Sequence, residues 1–197
     1  MARETARRDQ VAQAATDYVL EHGLVGLSLR PLAARLGTSD RMLLYHSDGK
    51  DDLVATVLRI SNDRSVTAIR ALPPAPDVRQ AVLDLWTAVT RPELDRCQRV
   101  YVEAAALGLL GREPYVSVVR EANAVWIAAL ADHLAASGMP RRLAARAVVL
   151  LDAAMMGFQL DLPLEPPSGA RAPGPDPVVD QAVHDLADAL AAIAARE

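Results

Sequence analysis

The chain is expected to be an all-α protein, and three features of its 197 residues predict it. Apolar residues recur three and four apart through segment after segment, the spacing that gathers side chains on one face of a helix. Alanine, the strongest helix former, is abundant, whereas aromatic residues make up only 4%. No stretch alternates apolar and polar side chains as a half-buried strand would. With 51% apolar residues there is material for a sizeable core, in one ordinary domain or two small ones.

The first helix is expected to run to about His22, with Val11, Ala14, Ala15, Tyr18 and Val19 on its inner side. Residues 1–8 are expected to fray ahead of it. Arg3, Arg7 and Arg8 then read either as a solvated terminus or as a basic arm for an anionic partner. Residues 27–50, LSLRPLAARLGTSDRMLLYHSDGK, read as two very short helices joined by a tight turn. Leu29, Leu32, Ala33 and Leu36 recur at helical spacing, and Gly37 follows where a helix commonly stops in a left-handed residue. Ser28 is placed to cap the first helix of the pair, and Pro31 falls in its first turn, where a missing amide proton costs little. Thr38 or Ser39 is placed to cap the second, Met42, Leu43 and Tyr45 give it an apolar side, and Ser47-Asp48-Gly49 ends it.

A fourth helix is expected over 50–71, capped by Asp48, with Asp51 and Asp52 at the positive end of its dipole and Leu53, Val57 and Ile60 facing one way. Pro73-Pro74-Ala75-Pro76 breaks the chain. Further helices are expected over 78–91, 94–110, 113–137 and 141–162, then a proline-rich surface loop, and a last helix over 178–196. The loop, PLEPPSGARAPGPDP, holds six of the thirteen prolines. Val179, Ala182, Val183, Leu186, Leu190 and Ile193 form one stripe on the last helix. The eighth carries Leu143, Ala147, Leu150, Leu151, Ala154 and Phe158, and with Val148, Val149, Met155 and Met156 it is apolar nearly all round. Such a helix has to be buried on most sides.

Two short helices at a tight turn form a helix-turn-helix. The major groove, about 12 Å wide, admits one helix whose N-terminal residues face base edges. Here those residues are Thr38, Ser39, Asp40, Arg41 and Met42. The flanks sharpen this reading, because residues 7–58 resemble the N-terminal domain of the TetR family of bacterial repressors. A first helix ends in His22-Gly23, LVGLSLRPLAARLG stands where the family has G-x-x-x-[ST]-[TSLV]-R-x-[LI]-A-x-x-[LA]-G, and LLYHSDGKDDLVATVL stands where it has [LI]-Y-x-H-F-x-x-K-x-x-L. The family's usual first tyrosine, a phosphate contact, falls on Leu44, leaving Tyr45, and its phenylalanine after His46 is Ser47. The resemblance implies a reading head over 1–49 and a helical ligand-binding and dimerisation domain over 50–197. Ser28, Arg30, Tyr45, His46 and Lys50 join the reading residues as candidate DNA contacts.

It further implies a homodimer, in which the eighth and last helices form a four-helix bundle with the partner chain, on a palindromic duplex operator. It also implies a small-molecule effector whose binding shifts the spacing of the two heads. Trp86, Tyr101, Trp126, Met155 and Met156 are candidate walls for the effector, with Asn123 and Gln159 as polar fixers. Glu103 lies inside VYVEAAALGLL and Asp152 inside VVLLDAAMMGF, so both are expected to be partly buried. Each then needs an internal arginine such as Arg99 or Arg120, a proton, or a bound cation. The expected effector is apolar, and cationic if these acids are its partners.

Residues 1–50 hold seven basic against six acidic side chains (+1) and 51–197 fourteen against nineteen (−5), which suits a DNA reader on an acidic body. The single lysine is Lys50. The one cysteine, Cys97, excludes an internal disulfide and reads as a plain thiol or a redox sensor. The four histidines lack metal-ligand spacing, and no nucleophile or phosphate-loop motif occurs, so no enzyme and no cofactor are expected. No signal segment or membrane-length apolar run is expected, which points to the cytoplasm. The alternative function is a helical small-molecule binder whose motif no longer reads DNA, for which Asp40 and Leu44 speak.

Overall fold

The computed structural model describes residues 2–45, 49–164 and 177–196. Among them are nine helices and no strand: α1 (Ala2–His22), α2 (Leu29–Arg35), α3 (Asp40–Tyr45), α4 (Lys50–Arg70), α5 (Val78–Val89), α6 (Pro92–Leu109), α7 (Tyr115–Ala136), α8 (Arg141–Leu164) and α9 (Pro177–Ala194). The protein is all-α, as expected. Residues 2–8 do not fray but form the first turns of α1, since their alanines, arginines and glutamate favour helix and no glycine or proline interrupts them. Pro92 and Pro177 open their helices, where the fixed φ of proline suits the first position. The residues read as the cap of α4 (Asp48), as Ser47 and as most of the proline-rich loop lie outside the described residues.

The chain divides into two compact units, one of Met1–Thr67 with Pro92–Trp126, the other of Ala68–Arg91 with Ile127–Glu197. In the first, Val19 of α1, Leu32 of α2, Leu43 of α3 and Leu53 and Val57 of α4 are buried in one cluster. Val100 and Ala104 of α6 and Val118 of α7 complete that cluster, so the short helices rest on a corner of the body as well as on each other. Arg64 of α4 pairs with Asp17 of α1 at 2.6 Å, and Arg59 with Glu121 of α7 at 3.4 Å. Tyr115 packs against the same cluster, and burial, aided by Asp51 and opposed by Arg112, raises its phenol above the ordinary range.

In the second unit Leu85 of α5, Leu130 and Leu134 of α7, Leu151 of α8 and Leu190 of α9 are almost wholly buried. The Asp77 carboxylate caps α5 by accepting from the Gln80 amide at 2.8 Å, and Arg79 binds Asp188 of α9. Contrary to expectation, one helix does meet the length and composition of a membrane span, Arg141–Leu160 of α8. Ala144, Ala147, Val148, Leu151 and Met155 are buried, but only 28% of the span is, so within this chain the helix is covered on one side and not on most sides as expected.

Candidate nucleic-acid interface and ligand site

α2 has seven residues and α3 six, too few for either to persist alone. Their ends are therefore fixed from outside. At the end of α2 the Thr38 amide donates to the Ala33 carbonyl at 2.9 Å and that of Gly37 to Ala34 at 3.2 Å. With Gly37 at φ +63° this is a Schellman stop, which sets the turn between the helices. Of the two hydroxyls read as caps for α3, Ser39 does the work, its Oγ accepting from the Met42 amide at 3.2 Å. Leu43 is fully buried and anchors the helix, while Asp40, Arg41 and Met42 are exposed in its first turn. These three expected base contacts thus face outward. Thr38 is half-buried, and Ser39 and Arg30 are exposed. Ser28 occupies the N-cap of α2 in an extended conformation, but its exposed hydroxyl makes no capping bond to the helix, contrary to expectation. His46 and the side chain of Tyr45 lie outside the described residues. Arg7 is exposed, and Arg8 pairs with Asp52 in the first turn of α4 at 3.5 Å.

The link between α1 and α2 is held by two charged side chains. Glu103 of α6 accepts from the amides of Leu24 at 2.7 Å and Val25 at 2.5 Å. Lys50, at the start of α4, donates from Nζ to the Leu27 carbonyl at 2.7 Å. Gly23 has φ +85°, which favours glycine, and a Cβ there would stand 3.1 Å from Glu103 Oε1, close enough to press on the carboxylate. None of the three partners weighed for Glu103 is the one found. Backbone amides take its charge, Arg99 turns to Asp95 on its own helix at 2.9 Å, and Arg120 is exposed. Lys50, read as a phosphate contact, spends one of its donors inside the protein.

The nine residues read as ligand contacts do not fall in one unit. Tyr101, Glu103, Asn123 and Trp126 belong to the first, with Asn123 exposed, and Trp86, Asp152, Met155, Met156 and Gln159 to the second. The latter five lie on α5 and α8. Asp152, Met155, Met156 and Gln159 stand on one face of α8, and Gln159 Nε2 donates to the carbonyl of Val89, the last residue of α5, at 3.2 Å. Trp86 of α5 meets Phe158 of α8 edge-on with ring centroids 5.8 Å apart, an aromatic contact that the sequence reading places only in a packing stripe.

No family model matches the sequence, and no curated protein matches it either. Solved structures do match over nearly the whole chain. One assigned as a TetR-family transcriptional regulator, from Rhodococcus sp., is 19% identical, covers 97% of this chain and 100% of its own, and superposes with a TM-score of 0.67. The chain has the TetR-family fold. The multidrug binding protein EbrR, complexed with imidazole, is 24% identical, with 94% of each chain covered and a TM-score of 0.63. A transcriptional regulator from Saccharomonospora viridis in complex with choline is 18% identical, with 93% and 95% covered and a TM-score of 0.66. On this TetR-family fold α2 and α3 are the helix-turn-helix expected from sequence, and α8 and α9 are the two helices expected to pair with a second chain.

One histidine set aside for its lack of metal-ligand spacing stands out. His133 of α7 is 7% exposed, and its Nε2 has no hydrogen-bond partner among the described residues. Burial pulls its pKa below 6.5, against the opposing pull of Asp84 on α5. Asp84, which acts on it, lies 49 positions earlier on another helix, so the local sequence does not mark it.

Proposed function

We propose that the protein is a DNA-binding transcriptional regulator, a repressor that holds a palindromic operator as a homodimer and leaves it when a small molecule binds. The observation that carries this is the recognition-type helix α3, capped by Ser39 and anchored by Leu43, with Asp40, Arg41 and Met42 facing solvent. A helix this short, presented outward at its N-terminal end, suits insertion into the major groove. Arg41 is the residue fitted to read guanine, through two hydrogen bonds to O6 and N7, and Asp40 the one fitted to accept from a cytosine amino group. Ser28 and Arg30 flank it as candidate phosphate contacts. The working division is a reading head over 1–49 and a ligand-binding and dimerisation domain over 50–197. A regulator of this kind works where the DNA is, in the cytoplasm.

The effector reading rests on the seam between α5 and α8. Trp86 and Phe158 supply aromatic faces, Met155 and Met156 adaptable walls, and Asp152 and Gln159 polarity. An acid on the same helix as Phe158 suits an apolar cation, and two solved relatives in fold were obtained with imidazole and with choline.

Selection of bound sequences from random duplex DNA tests the reading. The expected result is an enriched palindrome, bound less tightly as salt rises. Arg41→Ala is expected to lose about 1–3 kcal/mol and to relax preference at one base pair of each half-site. Absence of any enrichment would refute DNA reading and favour a helical small-molecule binder.

A further inference from the structure

The segment between α1 and α2 carries two glycines at positive φ, Gly23 and Gly26, and leads straight into Ser28 and Arg30. Left to itself such a link has wide conformational freedom. Two buried side chains, Leu24 and Leu27, fix its inner edge. Its backbone is fixed by the ions on either side. Glu103, from a residue 79 positions away, takes the amides of Leu24 and Val25, and Lys50 takes the carbonyl of Leu27. The two jaws are complementary, since an anion receives donors and a cation meets an acceptor. Bonds to ionised groups are the strong ones. Glu103 also explains itself this way: a half-buried carboxylate in an apolar run is costly unless its lone pairs are used.

We propose that Glu103 is a positioning residue for DNA reading, acting with Lys50 as a two-ended clamp on residues 23–28 that fixes where α2 begins. The clamp sets the position of Ser28 and Arg30 and, through the turn at Gly37, the angle at which α3 meets the groove. Glu103 does not touch DNA, and Lys50 contributes chiefly through Leu27. The inference rests on the DNA-reading function proposed above.

The test uses the full chain and the duplex that the wild type enriches. Glu103→Ala, and Glu103→Asp with its shorter reach, are expected to bind that duplex about tenfold more weakly at 25 °C with helix content unchanged. Glu103→Gln keeps an acceptor oxygen and is expected to retain affinity within about threefold. The amides of Leu24 and Val25 are expected to exchange with solvent faster in Glu103→Ala than in wild type. Lys50→Met is expected to weaken binding without changing the salt slope, and the double variant to lose less than the product of the single losses. A salt slope lowered by about one unit per half-site in Lys50→Met would instead make Lys50 a phosphate contact and remove it from the clamp. A Glu103→Ala protein that melts earlier yet binds with full affinity below its transition overturns the positioning role and leaves a purely structural one. If Glu103→Ala does not fold, Glu103→Asp and Lys50→Met decide: wild-type affinity in both overturns the clamp. No enrichment by the wild type refutes the DNA reading and the positioning role together, whereas enrichment with affinity retained by Glu103→Ala refutes the positioning role alone.

Discussion

Burying an imidazole in a helical core leaves a pH signature, and His133 should carry one. Its neutral form is favoured in the folded protein because burial opposes charge, even with Asp84 pulling the other way. The unfolded chain therefore takes up a proton at higher pH than the folded one. The stability contributed is fully present above the unfolded value near 6.5 and is lost as pH falls from there through the lowered folded value. One such group adds a slope of at most about 1.4 kcal/mol per pH unit. Urea unfolding of wild type and His133→Phe between pH 5 and 8, on the order of one unit apart, should show a shallower decline on the acid side for the variant. At neutral pH the variant should match or exceed wild type, by up to about 1–3 kcal/mol, because the unpartnered nitrogen is gone. Parallel pH profiles would show that His133 does not titrate with folding. The contrast with Glu103 explains what is legible at this scale. An acid in an apolar run announces that something must satisfy it, but backbone amides 78 and 79 residues away leave no mark in the local sequence. Sequence accordingly groups Glu103 with Asp152, and the structure separates them into different units.

At the scale of elements the periodicity and punctuation carry far. Gly37 stops α2 and Ser39 starts α3 because a left-handed stop and a hydroxyl cap are local devices, written in adjacent residues. The first turns of α1 and the placement of Pro92 as the opening residue of α6 are missed, since sequence punctuation marks a boundary without saying on which side it falls. α3 depends on its cap more than a long helix would, because six residues supply few internal bonds. Ser39→Ala is expected to cost about 0.5–2 kcal/mol of local stability. Ser39→Asp should retain the cap but place a second acid beside Asp40, weakening DNA affinity through phosphate repulsion. Hydrogen exchange at the Met42 amide and titration of the enriched duplex separate these effects. An unaltered exchange rate in Ser39→Ala would mean that the cap contributes nothing in solution.

For the molecule as a whole, the decisive distinction lies between two adjacent leucines of α8. An apolar stripe on a helix reports that a face is covered, not by what, so from sequence Leu150 and Leu151 are equivalent. In the structure Leu151 is fully buried within the chain, whereas Leu150 is 46% exposed and Val149 60%. Leu190 of α9, on the stripe expected to pair with the partner, is also 1% exposed and belongs to the core of its own chain. The face left open on α8 runs through Arg146, Val149, Leu150, Ala153 and Leu160 at helical spacing, with Val178 exposed at the start of α9. Pairing of that face with its copy about a two-fold axis would bury those side chains and would join two reading heads. A palindrome with half-sites about 34–36 Å apart requires such a join. Leu150→Glu is therefore expected to give a folded monomer with native helix content, seen by sedimentation and circular dichroism. Its affinity for the full operator should fall by about 10²–10⁴, while affinity for an isolated half-site stays the same, because only the linkage is lost. Leu151→Glu should behave differently and unfold the second unit, since it puts a charge where no partner waits. A wild-type protein that sediments as a monomer at micromolar concentration, or a Leu150→Glu variant that remains a dimer, would show that this face is not the interface.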